Sequence, residues 1–172
     1  MNIEEIKTKL SEPLPGYNAH FELAPYRKPN KHYLKKLEPK IASTLILLFN
    51  DSTENLNFVL IKRPPYDGVH SNQFALPGGK KEANESLSET ALRETEEEIG
   101  IKQNTINIIG KLSEIYVPPS NFLIHPFVGF TESITSFIPD KKEVEQIIVV
   151  ELDELIKEKN IKQTTKQVNY KS

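Results

Sequence analysis

The chain has 172 residues, of which 37% are hydrophobic and 27% are charged, so it is long enough to bury the core of one globular domain. Its 22 Lys and Arg residues nearly balance its 24 Asp and Glu residues, which argues against a protein that binds nucleic acid or membranes through charge. The absence of cysteine excludes disulfides and thiolate metal sites. Because the sequence shows no signal peptide and no apolar run long enough to span a bilayer, we expect a cytoplasmic protein.

Residues 1–40 predict one helix followed by an extended lead-in. Residues 2–10 carry apolar side chains at spacings of three and four, at Ile3, Ile6 and Leu10. That period predicts a short amphipathic helix on the surface of the domain, and two prolines after it predict its end. Six Lys and Arg residues lie between 27 and 40. A solvated linker is the favoured interpretation of this basic segment, and contacts with phosphate are the alternative.

Residues 41–160 predict the main domain, and residues 161–172 predict a polar tail. Runs of β-branched and apolar residues predict strands at 41–50, 57–63, 73–76, 105–117, 122–131 and 146–151. A turn is expected at Pro77-Gly78-Gly79 and a short helix at 152–158. Strands on both sides of a central helix, without a regular βαβ repeat, predict a mixed sheet in an α+β arrangement.

A glycine turn followed by a strongly acidic helix is predicted for residues 78–101. Ser86 and Glu89 form an S-x-x-E capping box that predicts the start of the helix, and Gly100 predicts a left-handed cap at its end. One arc of the helix is apolar or β-branched and therefore predicts the buried side. It holds Ala91, Leu92, Thr95 and Ile99.

Three carboxylates share a neighbouring arc of the same helix. At about 100° per residue, Glu94, Glu97 and Glu98 fall within an arc about 100° wide, so we expect them to face one point. Like charges this close destabilise a helix, and a bound cation would remove that cost. Oxygen ligands without cysteine suit Mg²⁺ or Mn²⁺. The alternative is a solvated acidic face, which most Glu-rich helices present.

The spacing of these residues resembles the Nudix box, G-x5-E-x7-R-E-U-x-E-E-x-G-U, in which U is aliphatic. The seven fixed positions are all matched, by Gly79, Glu85, Arg93, Glu94, Glu97, Glu98 and Gly100. At roughly 7% usage per residue type, seven coincidences have a chance of about one in 10^8. One aliphatic position departs from the motif, because Thr95 is polar. It lies on the buried arc, away from the carboxylates, so we expect the chemistry to be intact.

The Nudix resemblance implies both a fold and a reaction. The fold is an α/β/α sandwich, with a mixed sheet between helices. The reaction is metal-dependent hydrolysis of a diphosphate bond in a nucleoside diphosphate linked to another group, X. Glu97, Glu98 and the Gly79 carbonyl are then expected to hold Mg²⁺ or Mn²⁺. Glu94 is expected to act as the general base or as a further metal ligand.

Other residues would support this chemistry. Arg93 is expected to orient Glu94, and Glu85 to pair with Arg93 or to brace the loop before the helix. A purely structural salt bridge is an equally good interpretation of Glu85. Glu143 or Glu145 could supply the additional carboxylate that many Nudix enzymes take from a distant loop. A solvated turn is the alternative for both.

Segments around the box are similar to those of coenzyme A pyrophosphatases, namely 24–25, 58–63, 70–79 and 116–129. The upstream signature of that subfamily is met at Leu60, Arg63 and 77–79. It is missed at five positions, including Gly68, where an arginine would clamp a phosphate. Coenzyme A or an acyl derivative is the first choice of substrate. The alternatives are an ADP-ribose or other nucleotide-sugar pyrophosphatase, and a non-catalytic domain that binds a nucleotide.

Four polar residues in or near these similar segments are expected to contact a small-molecule nucleotide substrate. They are Arg63, His70, Asn121 and His125. An ordinary polar surface is the alternative interpretation of the two histidines and the asparagine.

The end of the chain differs from the pattern of Nudix relatives, which usually continue with further strand and a final helix over one face of the sheet. Here the last residues are polar, so we expect that helix to be missing or residues 2–10 to take its place. If neither covers the sheet, the exposed apolar face favours a homodimer.

Overall fold

The computed structural model describes residues 1–16, 19, 20, 22, 37–65, 72–132 and 134–160. His70, most of the basic segment and the predicted polar tail lie outside the described residues. The helices are α1 (Ile3–Ser11), α2 (Leu87–Ile99) and α3 (Leu152–Ile156). Within the described ranges, no helix is long and apolar enough to cross a membrane.

The strands of the described chain form an eight-stranded sheet. They are β1 (Lys40–Asn50), β2 (Leu56–Lys62), β3 (Phe74–Ala75), β4 (Gly78–Lys80), β5 (Asn107–Lys111), β6 (Ile115–Val117), β7 (Phe122–Thr131) and β8 (Gln146–Glu151). β1 pairs antiparallel with β2 and β4 and parallel with β7. β7 also pairs with β5 and β6, and β2 pairs with β3 and β8, in each case antiparallel. The predicted mixed sheet is confirmed.

Side chains along β1 alternate between two hydrophobic clusters, one on each side of the sheet. Leu45 and Leu47 pack with Ala91 of α2 in the first cluster. Leu48 packs with Ile6 of α1 in the second. We call these two sides the α2 face and the α1 face. The predicted sandwich of a sheet between helices is therefore confirmed, and residues of the N-terminal helix do cover one face.

The turn predicted at Pro77-Gly78-Gly79 is wrong, because both glycines belong to β4. Gly78 pairs with Thr44 and Gly79 pairs with Ser43, both of β1. Gly78 has a φ of +150°, and a Cβ there would lie 2.4 Å from the Ser43 carbonyl oxygen. Glycine therefore allows two backbones to approach closely in a sheet, a use that sequence alone does not distinguish from a turn.

Two other predicted elements are longer than the observed ones. The strand predicted at 105–117 is divided into β5 and β6, and the register of β5 against β7 shifts between Ile108 and Gly110. A Cβ on Gly110 would lie 2.9 Å from Leu10 Cδ1 of α1, so the irregular strand lies where this helix crosses it. The helix predicted at 152–158 ends at Ile156.

Candidate active site

Both ends of α2 are fixed by hydrogen bonds. At its start, Ser86 Oγ accepts from the Glu89 N–H at 3.2 Å, and the Glu89 carboxylate accepts from the Ser86 N–H at 2.7 Å. At its end, Gly100 has a φ of +77°, and a Cβ there would lie 2.7 Å from Ile138 Cβ. Backbone N–H groups of 138–140 donate to two carbonyls of the last turn, at 2.9 and 3.1 Å. The predicted caps are confirmed, and they fix how α2 presents its side chains.

Arg93 lies at the centre of an ion-pair network on α2. Its Nε and Nη2 donate to both carboxylate oxygens of Glu85, at 3.0 and 3.1 Å. Nη2 also lies 3.0 Å from Glu94 Oε1, and Nη1 donates to Glu97 Oε2 at 2.8 Å. The Lys80 carbonyl accepts from Nη2 at 3.3 Å. These partners, Glu85 first, raise the pKa of Arg93, so its charge is permanent. The expected contacts of Arg93 with Glu85 and Glu94 are therefore present.

Glu85 has a full set of donors around its carboxylate. Besides Arg93, the Glu82 N–H donates at 2.7 Å and the Thr90 hydroxyl at 2.8 Å. The hydrogen bonds of Arg93 and Glu82, in that order, hold the pKa of Glu85 at about 2. Glu85 is thus always ionised near neutral pH, and it joins the loop before α2 to the helix itself.

Glu98 is buried in the last turn of α2. Its Oε2 accepts from the Gly78 N–H at 2.8 Å, and its Oε1 lies 3.8 Å from Arg63 Nη2. Burial raises the pKa of Glu98 to about 7, against the lowering effects of the Gly78 N–H and of Arg63. A buried carboxylate with so little compensation costs folding free energy, and such groups concentrate at functional sites.

Glu94 lies against the backbone of β4. A Cβ on Gly79 would lie 2.4 Å from Glu94 Cδ, so only glycine fits there while Glu94 keeps this position. Burial raises the pKa of Glu94, and Arg93 opposes that effect. Close packing against Glu94 therefore explains why the first position of the motif, Gly79, is a glycine in this structure.

That Glu94, Glu97 and Glu98 face one point stays a prediction, because two of them are turned to different protein partners in the described conformation. Glu98 turns to the Gly78 N–H, whereas Glu97 pairs with Arg93 and keeps 58% of its side chain exposed. Glu94 and Glu97 share Arg93 as a partner, whereas Glu98 accepts from the Gly78 N–H, which draws Glu98 away from the other two like charges. Among the described residues, no group of three or more Asp, Glu, His or Cys side chains is close enough together to hold a metal ion.

A cavity of about 470 Å³ lies on the α1 face beside β4. Most of its lining side chains are apolar, among them Phe122, Ile124 and Pro126 of β7. Two cationic residues, Arg63 and Lys80, also line it, and the described lining residues include no carboxylate. Because Arg63 also approaches Glu98, the cavity adjoins the carboxylates of α2.

The chain matches the NUDIX domain family over residues 39–170, which is more than half of its length. It belongs to the Nudix family. It is 31% identical over 116 residues to Nudix hydrolase 3 of Caenorhabditis elegans, a match that covers 65% of this chain and 48% of that protein. It is 32% identical over 128 residues to "Nudix hydrolase 15, mitochondrial" of Arabidopsis thaliana, covering 73% of this chain and 45% of that protein.

The Nudix fold is also found by structural comparison. The crystal structure of RenU, a Nudix hydrolase from M. smegmatis, matches with a TM-score of 0.58 at 17% identity, over 68% of this chain and 73% of that one. This Nudix chain spans about half the length of the two curated relatives. The predicted resemblance to the Nudix family is therefore confirmed.

The departure from the Nudix box at Thr95 is accommodated inside α2. Thr95 is fully buried, and its hydroxyl donates to the Ala91 carbonyl at 2.7 Å. The hydroxyl is therefore satisfied within the helix, away from the carboxylates, as expected.

The predicted substrate residues of this Nudix chain are dispersed. Arg63 lines the cavity, as just described. Asn121 uses its amide within the protein, since Nδ2 donates to the Leu37 carbonyl at 3.3 Å and Oδ1 accepts from the Tyr116 hydroxyl at 3.0 Å. Substrate binding by Asn121 stays a prediction, and these bonds give it a structural role at the end of β6.

His125 faces away from the cavity. It alternates with the cavity-lining residues Ile124 and Pro126 along β7, so its side chain lies on the α2 face. Its Nδ1 lies 3.9 Å from Glu114 Oε2, and burial lowers its pKa. His125 therefore does not line the cavity, and its binding of substrate stays a prediction.

Sequence reasoning missed three groups at this site. They are the Gly78 N–H that binds Glu98, the Lys80 side chain in the cavity, and Ser43, whose buried hydroxyl has no hydrogen-bond partner in the part of the chain that the structure describes. No motif marks them, because each depends on the pairing of β4 with β1. A small polar residue inside an otherwise apolar strand was the one available signal for Ser43.

Proposed function

We propose that this chain hydrolyses a diphosphate bond in a nucleoside diphosphate linked to a second group, X. The observation that carries this proposal is the position of β4. Its residues line the cavity on one side, and Gly78 and Gly79 contact Glu98 and Glu94 on the other. A substrate with one end in the cavity would therefore have its diphosphate beside Arg63 and the carboxylates of α2.

The residues of this site fit a hard divalent cation, Mg²⁺ or Mn²⁺. The charge of Glu98 is only partly compensated, by one backbone N–H and a guanidinium 3.8 Å away. Glu94 and Glu97 are on the same helix within one turn, and all available donors are oxygens. Glu94, Glu97, Glu98 and the Gly79 carbonyl are the groups that would hold the ion. When bound, it would neutralise diphosphate oxygens and acidify a coordinated water.

The side chains of α2 would supply the proton transfer. Glu94 is raised in pKa by burial, which suits a carboxylate that accepts a proton from an attacking water. Arg93 holds one oxygen of Glu94 at 3.0 Å and leaves the other for this role. Arg63 would bind the phosphate group that leaves with X or with the nucleotide.

Of the two distant carboxylates considered, Glu143 is the better candidate for an additional site residue. Its charge raises the pKa of both Glu94 and Glu98, so it lies within their electrostatic reach. Glu145 instead pairs with Lys62, at 3.0 Å between Oε2 and Nζ. We therefore assign Glu143, and not Glu145, to the site.

Coenzyme A or an acyl derivative is the substrate that we favour, with 3′,5′-ADP and the (acyl-)4′-phosphopantetheine as products. The cavity is largely apolar, and buried sugar hydroxyls without partners would cost about 1–3 kcal/mol each. A pantetheine arm or an acyl chain presents longer apolar segments than a ribose does. The character of the cavity thus supports an X of this kind over a nucleotide sugar.

The test is to incubate the purified protein with Mg²⁺ and separately with coenzyme A, an acyl-coenzyme A, ADP-ribose, NADH and a diadenosine polyphosphate, and to identify products by mass. We expect 3′,5′-ADP from the first two. Preferential cleavage of ADP-ribose would contradict the coenzyme A assignment and keep the chemistry. No turnover by a folded, metal-binding protein would contradict hydrolysis and favour a nucleotide-binding role.

A further inference from the structure

Three residues on neighbouring strands form a row on the α2 face of the sheet. Ser43 of β1 pairs with Gly79 of β4 on one side and with His125 of β7 on the other. Directly paired residues project to the same face, with Cβ positions about 4.5–5.5 Å apart. Leu45, two residues after Ser43, packs in the α2-face cluster, so the whole row faces α2.

The middle residue of this row has an unsatisfied hydroxyl. Ser43 is fully buried, and its Oγ has no hydrogen-bond partner among the described residues. A buried polar group left unpaired costs about 1–3 kcal/mol, so such groups are rare and each requires an explanation. An ordered water bound to the hydroxyl would remove the cost.

Polar groups on both sides of Ser43 can bind the same water. The Glu94 carboxyl lies over Gly79, 2.4 Å from the position of a Cβ on that residue. It is therefore no more than about 8 Å from Ser43 Cβ. One water that makes two hydrogen bonds joins oxygens up to about 5.6 Å apart, so the Ser43 hydroxyl and the carboxyl are neighbours that a water can bridge. His125 pairs with Ser43 on the other side, and since its Nδ1 lies 3.9 Å from Glu114 Oε2, its Nε2 is the ring nitrogen that the water would contact. Together the three groups supply the two to four polar partners that a buried water requires.

We propose that the Ser43 hydroxyl holds a buried water between the Glu94 carboxylate and the His125 imidazole, which makes Ser43 and His125 positioning residues for Glu94. The proposal rests on the proposed role of Glu94 in hydrolysis. Arg93 fixes Glu94 from the side of the helix, and the water fixes it from the side of the sheet. Glu94 is then held in one orientation by two independent sets of donors.

The first experiment is structural and needs no activity. Crystal structures of the metal-free wild-type protein and of Ser43→Ala are compared at a resolution that shows ordered waters. We expect a water within about 3.2 Å of Ser43 Oγ, Glu94 and His125 in the wild type, and none in the variant. A wild-type structure without this water overturns the proposal, whether or not the chain proves to be a hydrolase.

The second experiment measures kcat and KM. We expect Ser43→Ala to lower kcat about tenfold and to change KM by less than about twofold, because the substrate does not touch Ser43. Ser43→Cys, which keeps a weak donor, should recover part of the loss. Thr95→Val is the matched control, since it removes a buried hydroxyl that bonds only to its own helix. An unchanged kcat in Ser43→Ala, or an equal loss in Thr95→Val, overturns the proposal.

Measurements of kcat and KM also test the role of His125. His125→Leu removes one partner of the water, so we expect a lower kcat with KM retained, and His125→Gln should be less affected because its amide still binds water. A raised KM with unchanged kcat would place His125 in substrate binding and overturn its positioning role. Thermal melting of every variant checks that it is folded, and Ser43→Cys replaces Ser43→Ala if the latter is not.

Discussion

Glutamates at the two ends of α2 have opposite environments. Glu85, just before the helix, is surrounded by donors, and its pKa is held at about 2. Glu98, in the last turn, is buried against one backbone N–H, and its pKa is raised to about 7. A glutamate is thus stabilised as an anion at one end of the helix, while the negative charge of the glutamate at the other end is only partly compensated. The first arrangement supports the fold, and the second is the one that suits the cation of the proposed function.

The helix dipole reinforces this contrast. Its positive end favours the charge of Glu85, while its negative end disfavours that of Glu98 and favours a cation beside it. Arg93 lies between the two ends and pairs with Glu85, Glu94 and Glu97, but not with Glu98. The ion-pair network of Arg93 therefore leaves out Glu98, whose nearest cationic partner is Arg63 at 3.8 Å.

We expect the largest effect on turnover from neutralising Glu98, the carboxylate whose charge is only partly compensated. Glu98→Gln should lower kcat/KM at least about 10^3-fold, because the cation would lose a buried anionic ligand. The melting temperature should not fall, since the Gln carbonyl can still accept from the Gly78 N–H.

Glu96→Gln is the matched control for this change. Glu96 pairs with Lys102 at 2.7 Å, away from the site, and its loss should leave kcat/KM within about twofold, as surface pairs contribute little. If Glu98→Gln kept wild-type turnover, the assignment of the site to this end of α2 would be wrong.

Substitutions of the two glycines of β4 should have different effects, one mainly on the stability of the fold and the other mainly on turnover. Gly78→Ala should lower the free energy of unfolding by about 3 kcal/mol, because its Cβ would meet the Ser43 carbonyl at 2.4 Å in a strained backbone conformation. At Gly79 the three atoms nearest to an added Cβ all belong to the Glu94 side chain, which can move. Gly79→Ala should therefore reduce kcat more than stability. Urea denaturation and kinetics on both variants test this, and an equal loss of stability would contradict it.

Glu85, the glutamate surrounded by donors, should make a contribution to the free energy of unfolding that depends on pH. Glu85→Gln should lower the free energy of unfolding at pH 7 by about 2 kcal/mol, through the loss of charged hydrogen bonds. The folded pKa of Glu85, about 2, lies below its usual value of 4.5, so this stabilisation is present above pH 4.5 and is lost as the pH falls toward 2. Denaturation at pH 7, 5 and 3 should show the two proteins converge. A difference that does not depend on pH would contradict the pairing.

The smallest effect is expected from the cap itself. Ser86→Ala removes the acceptor of the Glu89 N–H and should cost about 1 kcal/mol of stability. Turnover should be unchanged, because the carboxylates lie two turns further along the helix. A loss of kcat without a loss of stability would show that the cap region acts in the chemistry.

The local features of the sequence were sufficient to predict α2, its caps and most strands. Ser86, Glu89 and Gly100 act through backbone groups within a few residues, so their signals do not depend on the rest of the fold. The run of apolar and β-branched residues at 41–50 likewise predicted the strand that became β1.

Features that depend on contacts between distant segments were not predictable in this way. Gly78 and Gly79 have the composition of a turn, but their close pairing with β1 places them in a strand. Helix geometry predicted a common direction for three carboxylates, whereas the Gly78 N–H and Arg93 draw Glu98 and Glu97 apart. The row through Ser43 arises only when three strands come together.

The parallel pairing of β1 with β7 also bears on how the chain folds. Ten consecutive pairs run from Lys40–Phe122 to Phe49–Thr131, and the paired residues are about eighty positions apart in sequence. The entropy of closing so long a loop must be overcome before the pairs contribute, and such topologies fold slowly. The β1–β2 hairpin and α2 can form first from local contacts. The centre of the sheet, and with it the row beside Glu94, is then completed only when β7 docks.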